Sequence, residues 1–296
     1  MKHRHPGYTD SGFQAGYAVA RVLPRFLCQF IGSTLGSVSY LSQTEARRAL
    51  ADNLSRVTGY GDLALQNVCH RNFRNFGRML ADYFYCTGQP AEAIRALLDE
   101  WHGLDHVRTA LDGGKGVILV TAHMGNWELG GTLLALDGWP INVVTLPEPT
   151  SDLTRTREAY RQKLGIRTIA IGDKTFAFVE MIAALNRNEI VCMLVDRPYG
   201  ETGIPVDFFN RQTAFSSAPA LLHQHTGAAI VPAFVLQNER RRYQAFAQAP
   251  LPLDSPADRS QRRGALQINT QRIATAFESI IRPHPEQWFN YVPIWK

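Results

Sequence analysis

VILVTAHMGNWELGG, residues 117–131, is the stretch on which the reading of this chain turns. VILVT is an apolar run of strand length, Gly125 permits a tight turn, Asn126 is a candidate N-cap, and a helix starts near Trp127. His123 therefore follows a strand, and Glu128 opens the helix that folds back toward it. A carboxylate placed there would hold one ring nitrogen as an N–H donor and leave the other free to take a proton. That is the base-and-orienter half of a catalytic triad. No serine stands beside it, so the nucleophile would be a substrate hydroxyl. Backbone N–H groups near Gly125 are candidates to stabilise an oxyanion. The spacing alone is weak evidence: nine His and 26 acidic residues in 296 yield about one such pair by chance, and His5 with Asp10 is another. Strand, glycine turn and helix distinguish His123. The competing reading is a buried histidine paired to Glu128 for packing.

Working outward, the chain after Gly113-Gly114 repeats this alternation. The runs INVVTL (141–146), RTIAI (167–171), IVCMLV (190–195) and AIVPAFVL (229–236) are separated by amphipathic stretches at 126–137, 152–164, 175–187 and 214–226. This rhythm predicts an α/β domain with a mostly parallel central sheet flanked by helices. YQAFAQ (243–248) fits an edge strand, and a last helix spans 261–281, before Pro283. Catalytic groups in open α/β sheets gather at the carboxyl ends of strands. Three such ends carry polar residues: His123 with Glu128, then Glu148, then Asp196 with Arg197.

Upstream, residues 14–42 form the most apolar long stretch, interrupted by Arg21, Pro24 and Arg25. What remains after Arg25 is marginal for a span, which needs about 20 mainly apolar residues. A helix lying in the membrane interface, with Arg21 and Arg25 reaching lipid headgroups, fits better. A buried core helix is the alternative. Helices are expected over 44–58, 62–86 and near 91–99. Arg71, Arg74 and Arg78 line one side of the second, and such a row is more often a solvated face than a binding site. The expected division is an N-terminal apolar, membrane-associating helical segment, 1–42, and a catalytic α/β domain, 43–296.

The composition, 45% hydrophobic and 19% charged, excludes global disorder. The formal charge of +5 suits an anionic membrane surface, an acidic carrier protein or a phosphorylated substrate without choosing among them. Cys28, Cys69, Cys86 and Cys192 lie far apart, with no CxxC and no Cys/His ligand spacing, so neither a metal site nor a disulfide framework is expected. The basic start lacks an apolar signal core, and no secretory signal is expected. There is no P-loop, no dinucleotide-binding glycine fingerprint after a strand, and no basic–aromatic cluster for nucleic acid. The absence of G-x-S-x-G argues against an α/β-hydrolase. A non-catalytic lipid-binding protein and a hydrolase remain as alternatives.

HMGNWE (123–128) resembles the H-x4-D/E motif of glycerolipid and lipid A acyltransferases. Its GNWEL context resembles the lauroyl/myristoyl type and the phosphatidylinositol mannoside acyltransferases. ADNLSRV (51–57), TRTREAYRQKLGI (154–166), the block 185–222, HTGAAIVPAF (225–234) and HPEQWFNYVPIW (284–295) resemble further segments of that family. The resemblance, spanning about residues 45–295, implies a glycerolipid acyltransferase-like fold. It implies transfer of a fatty acyl group from an acyl-ACP or acyl-CoA thioester to a hydroxyl of a membrane glycolipid, without a cofactor. His123 would be the general base and Glu128 its partner. Asn126, Glu148, Arg155, Arg157, Arg161, Asp196 and Arg197 would serve substrate or carrier binding. Phe208, with Phe209 and Phe215, would wall an acyl channel, although aromatics in such a segment are more often core. The expected location is the cytoplasmic face of a bacterial inner membrane, peripheral or monotopic. The expected partners are acyl carrier protein or coenzyme A thioester and a membrane lipid acceptor, with no nucleic acid.

Overall fold

The N-terminal part is helical: α1 (Asp10–Val22), α2 (Arg25–Ser42), α3 (Thr44–Thr58), α4 (Asp62–Cys86) and the short α5 (Ala91–Arg95). Strand β1 (Leu98–His102) and α6 (Leu104–Asp112) lead into β2 (Val117–Thr121) and α7 (Trp127–Leu136). Next come β3 (Ile141–Thr145), α8 (Ser151–Lys163), β4 (Arg167–Ala170), α9 (Lys174–Asn186) and β5 (Ile190–Leu194). A hairpin of β6 (Gly203–Phe208) and β7 (Arg211–Ser216) precedes α10 (Ala218–Thr226), β8 (Ala229–Gln237), β9 (Tyr243–Ala247) and α11 (Arg262–Ile281). The structure is a computed structural model and describes residues 10–146, 150–172, 174–198, 203–256, 258 and 260–295.

The main sheet has the order β1-β9-β8-β2-β5-β3-β4. Strands β8, β2, β5, β3 and β4 are parallel, β9 is antiparallel to β8, and β1 is parallel to β9. The expected mostly parallel sheet is therefore present. Its central strands are apolar throughout because both faces are covered. In β2, Ile118 and Val120 enter the larger core with α9 and α11, while Val117 and Leu119 enter the core under α6 and α7. Three local expectations change. Segment 243–248 is interior rather than an edge, because β1 pairs outside it. β1 lies partly within the stretch expected to continue as helix near 91–99. Residues 214–216 end β7, so the helix expected over 214–226 starts at Ala218.

Helices α2 and α4 pack at backbone contact. A Cβ on Gly77 would lie 2.0 Å from the Gly32 carbonyl oxygen, and one on Gly36 would lie 2.3 Å from that of Phe73. The buried face of α2 is small and polar: Cys28, Gln29, Gly32, Ser33, Gly36 and Ser39. Its large apolar residues, Phe26, Phe30, Leu35, Val38 and Leu41, are exposed. The helix is thus not buried all round as a core helix would be. Among the described residues, no helix is long and apolar enough to cross a membrane.

Arg25 departs from its expected role. Instead of reaching outward, it forms a bidentate pair with the buried Asp82, at 2.8 and 2.9 Å. Gln29 and the Tyr243 hydroxyl donate to the same carboxylate, at 2.8 and 2.6 Å. A carboxylate withdrawn from water needs such donors, and Arg25 at the start of α2 is the only charged one among these three. Gly77→Ala is expected to force α2 and α4 apart and cost about 2 kcal/mol of stability, an overpacking effect. Urea unfolding measures it, and an unchanged midpoint would contradict the close packing.

Candidate active site

Strands β2 and β5 are neighbours in register, with Thr121 opposite Leu194. His123 and Asp196 each stand two residues beyond those positions, so the pairing sets them side by side at the carboxyl end of the sheet. His123 Nδ1 lies 2.6 Å from Asp196 Oδ1. The His123 backbone N–H donates to Asp196 Oδ2 at 3.2 Å, and so do Trp288 Nε1 at 3.0 Å and Asn290 Nδ2 at 2.8 Å. The partner of His123 is therefore Asp196, and the expected Glu128 pairing is corrected.

The geometry also sets the tautomer. An ionised carboxylate only accepts, so Nδ1 carries the proton and Nε2 keeps its lone pair. The imidazole is about a quarter exposed, while the Asp196 side chain is fully buried. Burial by itself would raise the Asp196 carboxyl. The facing imidazole, its hydrogen bond, Arg197 and the Trp288 N–H outweigh that and hold it well below the usual carboxylate range. Burial, followed by the positive charge of Arg197, lowers the His123 pKa against the opposing pull of Asp196. His123 is consequently neutral near pH 7, as a proton acceptor must be.

The turn after His123 is braced by the C-terminal segment. Gly125 adopts φ +59°, and a Cβ there would lie 2.0 Å from the Val235 carbonyl oxygen, so only glycine fits. Gly125 N donates to Gln287 O at 2.9 Å, and Phe289 N donates to His123 O at 2.6 Å. That segment is held in turn by two asparagines. Asn53 Nδ2 donates to the carbonyls of Asn290 and Val292, and Asn72 Nδ2 donates to that of Trp288. Both asparagines are fully buried on otherwise apolar helix faces. That placement is the one signal in the sequence that could have pointed to Trp288 and Asn290 as supports for the site.

Glu128 does different work. Its Oε1 accepts from Arg157, and from Arg161 at 2.8 Å, both on α8. Burial opposes its ionisation, but Arg161 and then Arg157 hold its pKa below the ordinary value. This carboxylate thus clamps α8 onto α7. Arg155 points elsewhere, exposed and paired with Asp152 one turn away. Asn126 is buried and caps α7, accepting from Leu129 N at 3.0 Å and donating to the Tyr243 hydroxyl at 3.3 Å. Its amide is committed to the fold rather than to a substrate. Phe208 is likewise core: it is fully buried, with Phe215, Trp288 and Trp295 around it. Glu148 lies outside the described residues.

The Trp127 ring meets His123 edge-on at 5.8 Å and also borders a cavity between α7 and the sheet. The cavity holds about 830 Å³ of empty space, including solvent at its opening. Its walls are mainly apolar, with Leu119, Gly131, Leu134, Val143 and Val235 among them, while Glu128 and Arg161 also border it. The lining suits a flexible apolar ligand. Among the described residues, no three His, Cys, Asp or Glu side chains are grouped to hold a metal ion.

A histidine at a strand end, a buried carboxylate hydrogen-bonded to its ring and a mainly apolar cavity bordered by the neighbouring Trp127 make up the candidate site of this α/β fold. The chain belongs to the bacterial lipid A biosynthesis acyltransferase family, whose profile matches residues 1–296, and it is an acyltransferase. It is 28% identical over 293 residues to a phosphatidylinositol mannoside acyltransferase of Mycobacterium tuberculosis, covering 97% of this chain and 88% of that one. The corresponding protein of Mycolicibacterium smegmatis is 26% identical over 290 residues, covering 97% and 91%. A lipid A biosynthesis acyltransferase of Haemophilus influenzae is 26% identical over 195 residues, covering 64% of this chain and 56% of its own.

The two carboxylates should separate on substitution. Asp196→Asn frees the wrong tautomer and is expected to lower kcat at least about 100-fold. Glu128→Gln leaves two arginines without their buried counter-charge and is expected to cost about 3 kcal/mol of stability. Turnover and thermal unfolding of both variants test this, and the reverse pattern would restore Glu128 as the orienter.

Proposed function

We propose that the enzyme transfers a fatty acyl group from an acyl-carrier-protein or coenzyme A thioester to a hydroxyl of a membrane glycolipid. The acceptor is of the lipid A precursor or phosphatidylinositol mannoside type. The observation that carries this reading is the His123 Nε2, free to accept a proton and oriented by Asp196, beside an apolar cavity of acyl-chain character. Nε2 takes the proton as the acceptor oxygen attacks the thioester carbonyl. The carbon–sulfur bond then breaks, and the thiolate leaves with the proton returned by the imidazolium. Asp196 stabilises the imidazolium between these steps. Glu128 contributes by holding Arg161 at the cavity.

The exposed apolar face of α2 supports attachment to a bilayer surface, with the helix lying in the interface rather than crossing it. The cytoplasmic face of a bacterial inner membrane, where acyl thioesters are made, is the setting this reading requires.

The deciding experiment follows a labelled acyl group from an acyl-carrier thioester into membrane lipids. Label is expected in a glycolipid with the wild type and about 10²–10⁴-fold less with His123→Ala. Label appearing only as free fatty acid would identify a hydrolase instead. The kcat/KM profile is expected to fall as pH drops through a pKa below the ordinary imidazole value of 6.5, because protonation removes the base. A profile flat through that range would exclude His123 as the base.

Gly131→Leu projects a side chain into the cavity and is expected to shift preference toward shorter acyl chains. An unchanged chain-length profile would place the acyl group elsewhere.

A further inference from the structure

Arg74 and Arg78 lie one turn apart on α4, and Arg241 sits in the β8–β9 turn with φ +59°. That turn leaves the carboxyl end of β8, which is parallel to β2, so it opens on the same end of the sheet as His123. Among the described residues, no carboxylate forms an ion pair with any of the three. Arg78 Nη1 donates to Asn75 Oδ1 at 2.8 Å, but its Nε is buried without a hydrogen-bond partner. Burial, then the positive charges of Arg241 and Arg74, pull the Arg78 pKa below its ordinary value. A buried donor without a partner, in the field of two further guanidinium charges, calls for an anion.

The surroundings indicate which anion. Arg74 Nε donates to Ser33 Oγ on α2 at 3.0 Å, so the cluster adjoins the helix whose outer face is apolar and exposed. Asn75 donates to the Glu286 carbonyl, and Phe76 packs on Phe289 at 5.3 Å. Phe289 is the residue whose N–H holds the His123 carbonyl. The cluster thus contacts α2 through Ser33 and reaches the segment that braces the candidate site through Asn75, which Arg78 hydrogen-bonds. Guanidinium groups bind phosphate through paired charge-assisted hydrogen bonds, and basic groups beside an interfacial helix meet anionic headgroups.

We propose that Arg74, Arg78 and Arg241 form a binding site for the phosphate of an anionic membrane phospholipid headgroup, one without a neutralising choline, occupied when α2 lies in the bilayer surface. This rests on the reading of α2 as the bilayer-facing helix. The site would hold the enzyme at the membrane with its histidine turned toward the lipid headgroups.

The test is co-sedimentation of the full chain with phosphatidylcholine vesicles, with and without phosphatidylglycerol. The wild type is expected to bind the anionic vesicles more tightly. Arg78→Gln is expected to lose about fivefold of that affinity. Arg78→Lys keeps the charge and loses the fork, and is expected to lose about threefold. Arg263→Gln, exposed at the start of α11, makes the same charge change and is expected to stay within about twofold. If Arg78→Gln folds poorly, Arg241→Gln, on an exposed turn, replaces it with the same expectation.

Full binding by Arg78→Lys, or equal loss in Arg263→Gln, would reduce the effect to diffuse charge and overturn the site. Inorganic phosphate raising the Tm while phosphatidylglycerol adds nothing would make it a free-anion site and overturn the lipid assignment. Binding is read without turnover, so a failure of the acyl-transfer reading would leave this result intact and be seen separately.

Discussion

Asp196 is a carboxylate cut off from water, and four N–H groups keep it ionised there: the ring and backbone of His123, the Trp288 indole and the Asn290 amide. Much of the architecture serves to bring those donors together. The β2–β5 register supplies His123, and the last ten residues of the chain supply Trp288 and Asn290. Apart from Gln287, which ends a short 3-10 turn, and the single bridge of Trp288 to Met124, the described residues among them lie in no strand or helix. They are held by Asn53 and Asn72, whose amides bind their carbonyls from α3 and α4. Removing any one donor would leave a buried negative charge less compensated, which explains why so many elements converge on one side chain.

A second constraint concerns α2. Its glycines permit backbone contact with α4, which consumes the small face and leaves the bulky apolar residues outside. The pairing of Arg25 with Asp82 then locks the helix to the body through Tyr243, which also touches Asn126 at the head of α7. A single chain of polar contacts therefore joins α2 to the turn that carries His123. The same tight packing sets Ser33, on the buried face of α2, against Arg74 of α4.

Much of the fold was legible in sequence because periodicity is a local property. The central strands are short apolar runs bounded by turns, and α3 and α4 show helical spacing over their whole lengths. β1 escaped because LDEWH, at an edge, is only partly buried and has no clean alternation. The hairpin β6–β7 escaped because Phe208 and Phe215 show no strand alternation by themselves: they read as core or channel wall, and Phe215 falls in the stretch read as helix over 214–226. The interior position of β9 depended on β1 and could not be seen without it. His123 is singled out by its strand-turn-helix setting as a candidate base, and Asp196 and Arg197 by their strand end as substrate-side candidates; the structure brings His123 and Asp196 into hydrogen-bond contact.

What the sequence determined by itself was the class of fold and the apolar character of α2, and it singled out His123 as a candidate. These rest on residues near one another in the chain, where spacing and propensity act directly. Tertiary structure decided which carboxylate serves the histidine. Glu128 is five residues away and Asp196 seventy-three, yet the parallel register places Asp196 at Nδ1 while α8 draws Glu128 off with two arginines. It also decided that Arg25 turns inward, that Arg155 stays at the surface and that Phe208 is core. In each case the outcome depends on which distant charge or ring supplies the better partner once both groups have left water, and no local pattern records that competition.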